Sequence, residues 1–353
     1  MKKLNKVIVL GPDTNRIGGI SECIKSLLNS KLKSEFDLYH FKTDVIFKGN
    51  FIFKLCKKTL TFFSFVKLLF SNYQVCHIHS SSYYGFFERV IYAVLCKAFS
   101  TKVIFHIHGG EFLNFYNRSS VKWFIRFFLR KIDSVIFVDK QFESIISNKM
   151  SKYIPNMIAM PERIESSKNN PEHIFLSVSV LEARKNIDLI IECCNELSNR
   201  ELKFKFYICG NGPEQEYLEK MVVNYKLSDS IIFFGPVSGG EKLEVFNKAN
   251  TFILASHSES FGIVLIESLS FGVDIISTAV GIAPELDSNL DNIDLFHIND
   301  KNKLLDLMEK KVKNHKNFSF PSIVSINYCK DNFSIEAIQN CYIEIYKEVQ
   351  NEH

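Results

Sequence analysis

Short runs of β-branched and aromatic residues recur along this chain. Each ends in a polar or glycine-containing loop and is followed by a helical pattern. Residues 7–10, 75–79, 103–107 and 134–138 form one set. Residues 174–180, 205–209, 231–234, 251–254 and 274–277 form a second. Runs of this length, bounded by turns and alternating with helices, read as parallel strands buried on both faces. Helical periodicity fills the gaps at 187–199, 213–225 and 240–247.

The rhythm breaks once, between Pro155 and Pro171, where Glu165, Ser166, Ser167, Lys168, Asn169 and Asn170 read as a linker. Two βαβ arrays joined by a linker make an α/β protein with two Rossmann-like domains, at 1–165 and 171–330, facing an interdomain cleft. A last helix is expected over 335–349, inside a tail of 335–353. The 353 residues suit two domains of about 150 to 170 residues. Ligands of such folds sit at the carboxyl ends of the strands.

Charge excludes little by itself, but 43 Lys and Arg against 39 Asp and Glu is too even to argue for nucleic acid. Nine cysteines show no Cys-x-x-Cys pair, and the nearest are the adjacent Cys193 and Cys194. Reduced thiols in a cytoplasmic protein are the simplest reading. The first apolar run meets Pro12 and Asp13 too soon for a signal peptide, and no run of about 18 apolar residues predicts a membrane span.

The densest chemistry lies at Glu259-Ser260-Phe261-Gly262-Ile263-Val264-Leu265-Ile266-Glu267, after the strand at 251–254 and the polar loop 255–258. Gly262 lets the backbone turn close to a ligand. A helix starting near Ile263 and ending before Gly272 would aim free N–H groups and its positive end at an anion such as a diphosphate. Glu259 and Glu267 are eight residues apart, at most about 12 Å of helical rise. That separation suits two ends of an extended ligand better than one reaction centre. An unpaired carboxylate at Glu267, among Ile266 and Leu269, would be costly.

This segment resembles the E-x7-E signature of the retaining glycosyltransferases of the family 4 group, which have the two-domain type B fold. Further landmarks occur in the same order. Gly18-Gly19 resembles the loop that approaches the donor diphosphate, and His108-Gly109 the His-Gly element near the donor sugar. Pro155-Asn156, Gly210-Asn211-Gly212-Pro213, Phe234-Gly235, Gly281 and Pro284-Glu285 match later elements, and the helix around Tyr346 resembles one that returns to the N-terminal domain. Three positions depart from the pattern. Val180 stands where an Arg that clamps diphosphate is expected, although Lys185 aligns with the family Lys and Arg184 is its neighbour. Ile282 replaces a Gly, and Asp274 a Pro.

The resemblance implies a retaining, metal-independent transfer of a hexose or N-acetylhexosamine from a nucleotide-diphosphate sugar, most often UDP-linked, with that sugar as co-substrate and no other cofactor. The acceptor would be a glycan or lipid-linked glycan of a bacterial surface polysaccharide, bound by the N-terminal domain. His108, Glu259 and Lys185 would be catalytic. Gly18, Gly19, Arg184, Lys185, Gly210, Glu259, Phe261, Gly262, Ile263 and Glu267 would bind the donor. Glu259 would hold sugar hydroxyls, and Glu267 the ribose. No Asp-x-Asp occurs, the metal-chelating element of the other major glycosyltransferase fold. A non-catalytic nucleotide-sugar-binding partner subunit is the alternative, motivated by Val180.

Other features have competing readings. His77-x-His79 and His106-x-His108 each place two imidazoles on one strand face and could bind zinc, although polar packing at strand ends accounts for three of them. Gly-x-Gly-x-x-Gly is missing after the first strand, which argues against a dinucleotide-dependent oxidoreductase. Residues 47–70, including Phe47 and Lys48, and residues 123–131 are basic and aromatic, and would suit peripheral contact with the inner face of an anionic membrane.

Overall fold

In the computed structural model the described residues are 5–16, 18–43, 51–109, 112–144, 150–164, 170–315 and 321–351. Phe47, Lys48 and residues 165–169 of the expected linker lie outside them. The chain forms two units. The first comprises Met1–Ala159 and Phe333–His353, and the second Met160–Asn332.

The first unit holds strands β1 (Asn5–Gly11), β2 (Phe36–Lys42), β3 (Val75–Ser80), β4 (Lys102–Ile107), β5 (Ser134–Phe137) and β6 (Ser151–Tyr153). Its helices are α1 (Gly19–Asn29), α2 (Leu32–Glu35), α3 (Phe51–Leu69), α4 (Tyr84–Ala98), α5 (Phe112–Arg118) and α6 (Lys122–Lys131). All strand pairings are parallel, in the order β2-β1-β3-β4-β5-β6. Alternate residues of the central strands feed two cores. Ile8, Ile78 and Phe105 pack under α3, α4, α5 and α6 through Phe65, Phe86, Phe112 and Phe128. Val7, Val9 and Ile104 face the opposite layer, built by Ile24 and Leu27 of α1 with residues from the end of the chain.

The second unit holds β7 (His173–Val178), β8 (Phe204–Cys209), β9 (Ile231–Gly235), β10 (Thr251–Leu254), β11 (Asp274–Thr278) and β12 (Ile293–Phe296). Its helices are α7 (Ile187–Asn199), α8 (Gln215–Asn224), α9 (Gly239–Lys248), α10 (Ile263–Ser270), α11 (Ala283–Asp287), α12 (Lys301–Lys313) and α13 (Ile323–Phe333). The sheet is again parallel, ordered β12-β11-β10-β7-β8-β9. After β9 the chain returns to the other side of β7 to lay down β10. The strand order therefore reverses between β7 and β10, where an open parallel sheet leaves a crevice at its carboxyl end.

The final helix, α14 (Ile335–Asn351), packs on the first unit. Ile338, Tyr342, Ile345, Tyr346 and Val349 recur at helical spacing and are all buried against Val7, Val9, Val75 and Ile136. Three strands were not singled out in the sequence: β2, β6 and β12. Each is an edge strand, with partial burial and no continuous apolar run. All nine cysteines are free thiols.

Candidate functional site

The residues following β7 and β10 meet at the strand-order reversal of the second unit. A 3₁₀ turn, Ala183–Lys185, follows β7. Asn186, at φ 56° and ψ 38°, turns the chain from it into α7. The turn carries Lys185 inward, with only 9% of it exposed, while its neighbour Arg184 stays at the surface. After β10, the loop through Ser256 and Ser258 brings Glu259 alongside. Lys185 Nζ donates to Glu259 Oε1 at 2.5 Å, and Ser256 Oγ donates to the same oxygen at 2.8 Å. Arg184 donates to the Ser258 carbonyl at 3.0 Å, pairs with Glu182 at 2.6 Å and stands 3.9 Å from Glu259 Oε2. The His257 amide donates to the Arg184 carbonyl at 2.8 Å, which ties the two loops together.

Glycines set the remaining backbone. Gly262 adopts φ 81° and ψ 50° as the residue before α10, so the turn from Phe261 into the helix requires a left-handed residue. Gly281, at φ 56°, lies against the Phe261 carbonyl, which would be 2.5 Å from an added Cβ. The Ile282 amide donates to that carbonyl at 2.9 Å, so the position where the family pattern has Gly serves through its backbone. Gly210, at φ 134°, would place a Cβ 1.8 Å from the Ser179 carbonyl, so the 179–182 loop sits tightly on the Gly210-Asn211-Gly212 turn.

Glu267 lies further along α10 in a separate ion pair. Lys242 Nζ, from α9, donates to Glu267 Oε1 at 2.6 Å. Both partners are largely buried. The expected cost of burying this carboxylate is offset by a lysine that the sequence reading did not single out. Lys242 sits on a polar helix 25 residues upstream, where a lysine reads as solvated. The two carboxylates thus belong to two different charge pairs, Glu259 with Lys185 and Glu267 with Lys242.

Residues 161–318 match the family described as glycosyl transferases group 1. The second unit belongs to the group 1 glycosyl transferases. Within the curated relatives, the α-monoglucosyldiacylglycerol synthase of Streptococcus pneumoniae is 29% identical over 177 residues, 45% of this chain and 40% of that protein. The chain spans 32% and 40% of the length of two of the curated relatives it matches. Among solved structures, the sucrose-phosphate synthase of Thermosynechococcus elongatus superposes with a TM-score of 0.79 over 98% of this chain and 99% of that one, at 17% identity. Anabaena HepE in complex with UDP and glucose superposes with a TM-score of 0.73 over 98% and 100%, at 12% identity. At these identities the superpositions establish the fold, the type B architecture anticipated from the landmark residues.

The glycosyl transferase domain carries Arg184, Lys185, Gly210, Glu259, Phe261, Gly262, Ile263 and Glu267. Gly18, Gly19 and His108 belong to the first unit. Gly18 (φ 152°, ψ 153°) precedes α1 in a backbone region that glycine alone adopts readily, and Gly19 is exposed beside it. His108 is buried. Its Nε2 is 2.8 Å from His79 Nδ1, and His106 Nδ1 is 3.2 Å from His77 Nε2. Tyr346 of α14 closes the chain, its hydroxyl 2.7 Å from His77 Nδ1. Burial, and secondarily the charge of His108, holds the His77 pKa at about 3; burial holds His108 at about 3. His79 and His106 are pushed well below the usual imidazole range by burial and by the other histidines.

The possible ligand atoms of Cys23, His79, His106 and His108 all lie within 4.8 Å of one another. A tetrahedral zinc shell has ligand-to-ligand edges of about 3.5 Å, so this group is more open than a formed site. Burial also raises the Cys23 thiol to about 12. The cluster reads as neutral imidazoles paired with one another inside the first unit. The three histidines expected as strand-end packing share one cluster of ring contacts with His108, which bonds to His79 alone among them.

Proposed function

We propose that this protein transfers a sugar from a nucleotide-diphosphate donor, UDP-linked in this reading, to a glycan or lipid-linked glycan acceptor, with retention of anomeric configuration and without a catalytic metal. The observation that carries the reading is the Lys185–Glu259 pair at the strand-order reversal, beside the glycine-led start of α10. A leaving diphosphate needs cations and N–H donors already in place. Ser256 holds Glu259 in its pair with Lys185, and Arg184 is tethered within reach of the same carboxylate. Arg184 thereby offers the second cation that Val180 does not.

In this reading Glu259 orients donor hydroxyls while Lys185 and Arg184 take up the charge of the leaving diphosphate. Glu267 accepts from the ribose hydroxyls and exchanges part of its bond with Lys242 when the nucleotide arrives. The roles of Gly18, Gly19 and His108 rest on the sequence resemblance. HepE, whose structure holds UDP and glucose, supports a nucleotide-sugar ligand for this fold. The streptococcal relative, whose name describes a diacylglycerol glycolipid product, supports a lipid-linked acceptor. Val180 favours one second reading, a nucleotide-sugar-binding subunit without turnover of its own.

The deciding experiment incubates the purified chain with a panel of nucleotide sugars in EDTA and follows nucleotide release. Release from one donor that persists under chelation supports the transferase. Thermal stabilisation by a nucleotide sugar, with no release even when lipid-linked and glycan acceptors are added, points to the binding subunit. No stabilisation by any nucleotide would sink the donor-site reading.

A further inference from the structure

We infer that the outer face of α3, α4 and α6 in the first unit is a docking surface for an anionic lipid bilayer. This inference stands apart from the donor chemistry, because it concerns a different unit and is read without turnover.

The three helices cover the same side of the sheet. They are joined laterally by specific contacts. Lys58 of α3 pairs with Glu88 of α4 at 3.1 Å and lies over the Tyr84 ring. Phe87 of α4 stacks on Phe124 of α6, with ring centroids 6.4 Å apart. Lys97, near the end of α4, pairs at 2.8 Å with Asp133, just past α6. Their inward residues build the core, so their outward stripes form one continuous surface. That surface is apolar to a degree that folding does not require. Leu60, Phe63, Tyr84, Ile91, Trp123 and Phe127 are all exposed large side chains, and Trp123 is 72% exposed. Large exposed apolar patches mark places where a protein meets another phase or another molecule.

Charge selects the partner. The sequences of α3, α4, α5 and α6 together hold eleven Lys and Arg but one acidic residue, Glu88. Subtracting these from the 43 basic and 39 acidic residues of the chain leaves 32 against 38. One helical layer therefore carries all of the net positive charge, and the rest of the chain is net negative. On the opposite side of the same sheet, α1, α2 and α14 hold five acidic residues and three basic ones. A protein partner would select against this composition, because lysine is depleted at protein interfaces. A bilayer favours it. Phe, Leu and Trp enter the acyl boundary, while Lys and Arg extend to anionic head groups. The sequence alone pointed to two stretches, 47–70 and 123–131. The structure supplies α4 between them and makes one surface.

Trp123 is the single tryptophan of the chain, so it reports directly. The full-length protein is titrated with vesicles of phosphatidylcholine alone and with vesicles of phosphatidylcholine and phosphatidylglycerol in equal parts. Trp123 emission should shift to the blue and be quenched by brominated acyl chains only with the anionic vesicles. Cosedimentation should weaken as salt rises. Lys122→Glu with Arg126→Glu should lower vesicle affinity by roughly thirtyfold or more, at about 1 kcal/mol per basic residue near the surface. Trp123→Ser with Phe127→Ser should abolish cosedimentation while leaving the thermal midpoint unchanged, since both residues are exposed. Three results would overturn the inference. Trp123 emission could ignore anionic vesicles, or binding could survive the double charge reversal. Sedimentation velocity could instead show a lipid-independent dimer that Trp123→Ser dissolves, which would make the face a contact between copies.

Discussion

The first unit buries a cluster of four neutral imidazoles at the ends of β3 and β4, and the second places three ion pairs in its largely buried interior. His77 bonds to His106 and to Tyr346, and His79 bonds to His108, with no carboxylate in either set. In the second unit Lys185 meets Glu259, Lys242 meets Glu267, and Lys311 of α12 meets Asp274 and Asp294. Both arrangements sit on parallel six-stranded sheets of the same design. Their electrostatics differ because a buried group either neutralises or finds a counter-charge. The neutral network suits a stable interior, whereas paired charges near a strand-order reversal can be re-partnered by an anionic ligand.

Acidification should separate the two units most. An unfolded histidine takes its proton near 6.5, whereas folded His77 and His108 resist it until about 3. Their contribution is complete above 6.5 and is lost as pH falls towards 3. Stability of the first unit should drop by about 1.4 kcal/mol per pH unit for each such histidine below that point. Hydrogen exchange at β3 and β4, compared with β7 and β10, measures it; equal losses in both units would refute the contrast. Tyr346→Ala comes next. It empties a buried site and removes a partner of His77, and should cost about 3–5 kcal/mol in the first unit alone.

The charged interior gives the reciprocal test. Burial raises the Asp274 pKa in spite of Lys311, so this carboxylate depends on its partner. Lys311→Met should destabilise the second unit by about 3 kcal/mol, and Asp274→Asn in the same chain should recover much of that. Denaturant titration of the single and double variants decides; additive losses would mean that the pair is not coupled. Gly281→Ala should be mildest, about 1–3 kcal/mol, through its left-handed φ and the nearby Phe261 carbonyl. A crystal structure of that variant with an unmoved 259–262 loop would remove the argument that Gly281 sets it.

Much of this was legible from residue order. The central strands declared themselves because strands covered on both faces need unbroken apolar runs. Edge strand β2 did not, since Asp37, His40 and Lys42 interrupt it. Lys185, Glu259, Gly262 and Glu267 could be picked out because they lie in short, ordered motifs. Lys242 could not, because what distinguishes it is a contact between helices that only the fold creates. The histidine network was hidden for the same reason. It depends on the β3–β4 register, which sets His79 opposite His106, and on a tyrosine nearly 270 residues downstream. The Asp274 departure became intelligible only when Lys311 was found beside it.

The return of α14 to the first unit also orders events during synthesis. The chain leaves that unit at Ala159 and comes back at Phe333, so the whole second unit is translated in between. At typical elongation rates that interval is roughly ten to thirty seconds. Throughout it, the sheet face of Val7, Val9 and Ile104 waits for Tyr342, Ile345 and Tyr346. The second unit, whose residues are contiguous, can finish folding first, which reverses the usual amino-to-carboxyl order. A nascent chain of this protein therefore carries an unfinished apolar sheet face for as long as the second unit is being translated.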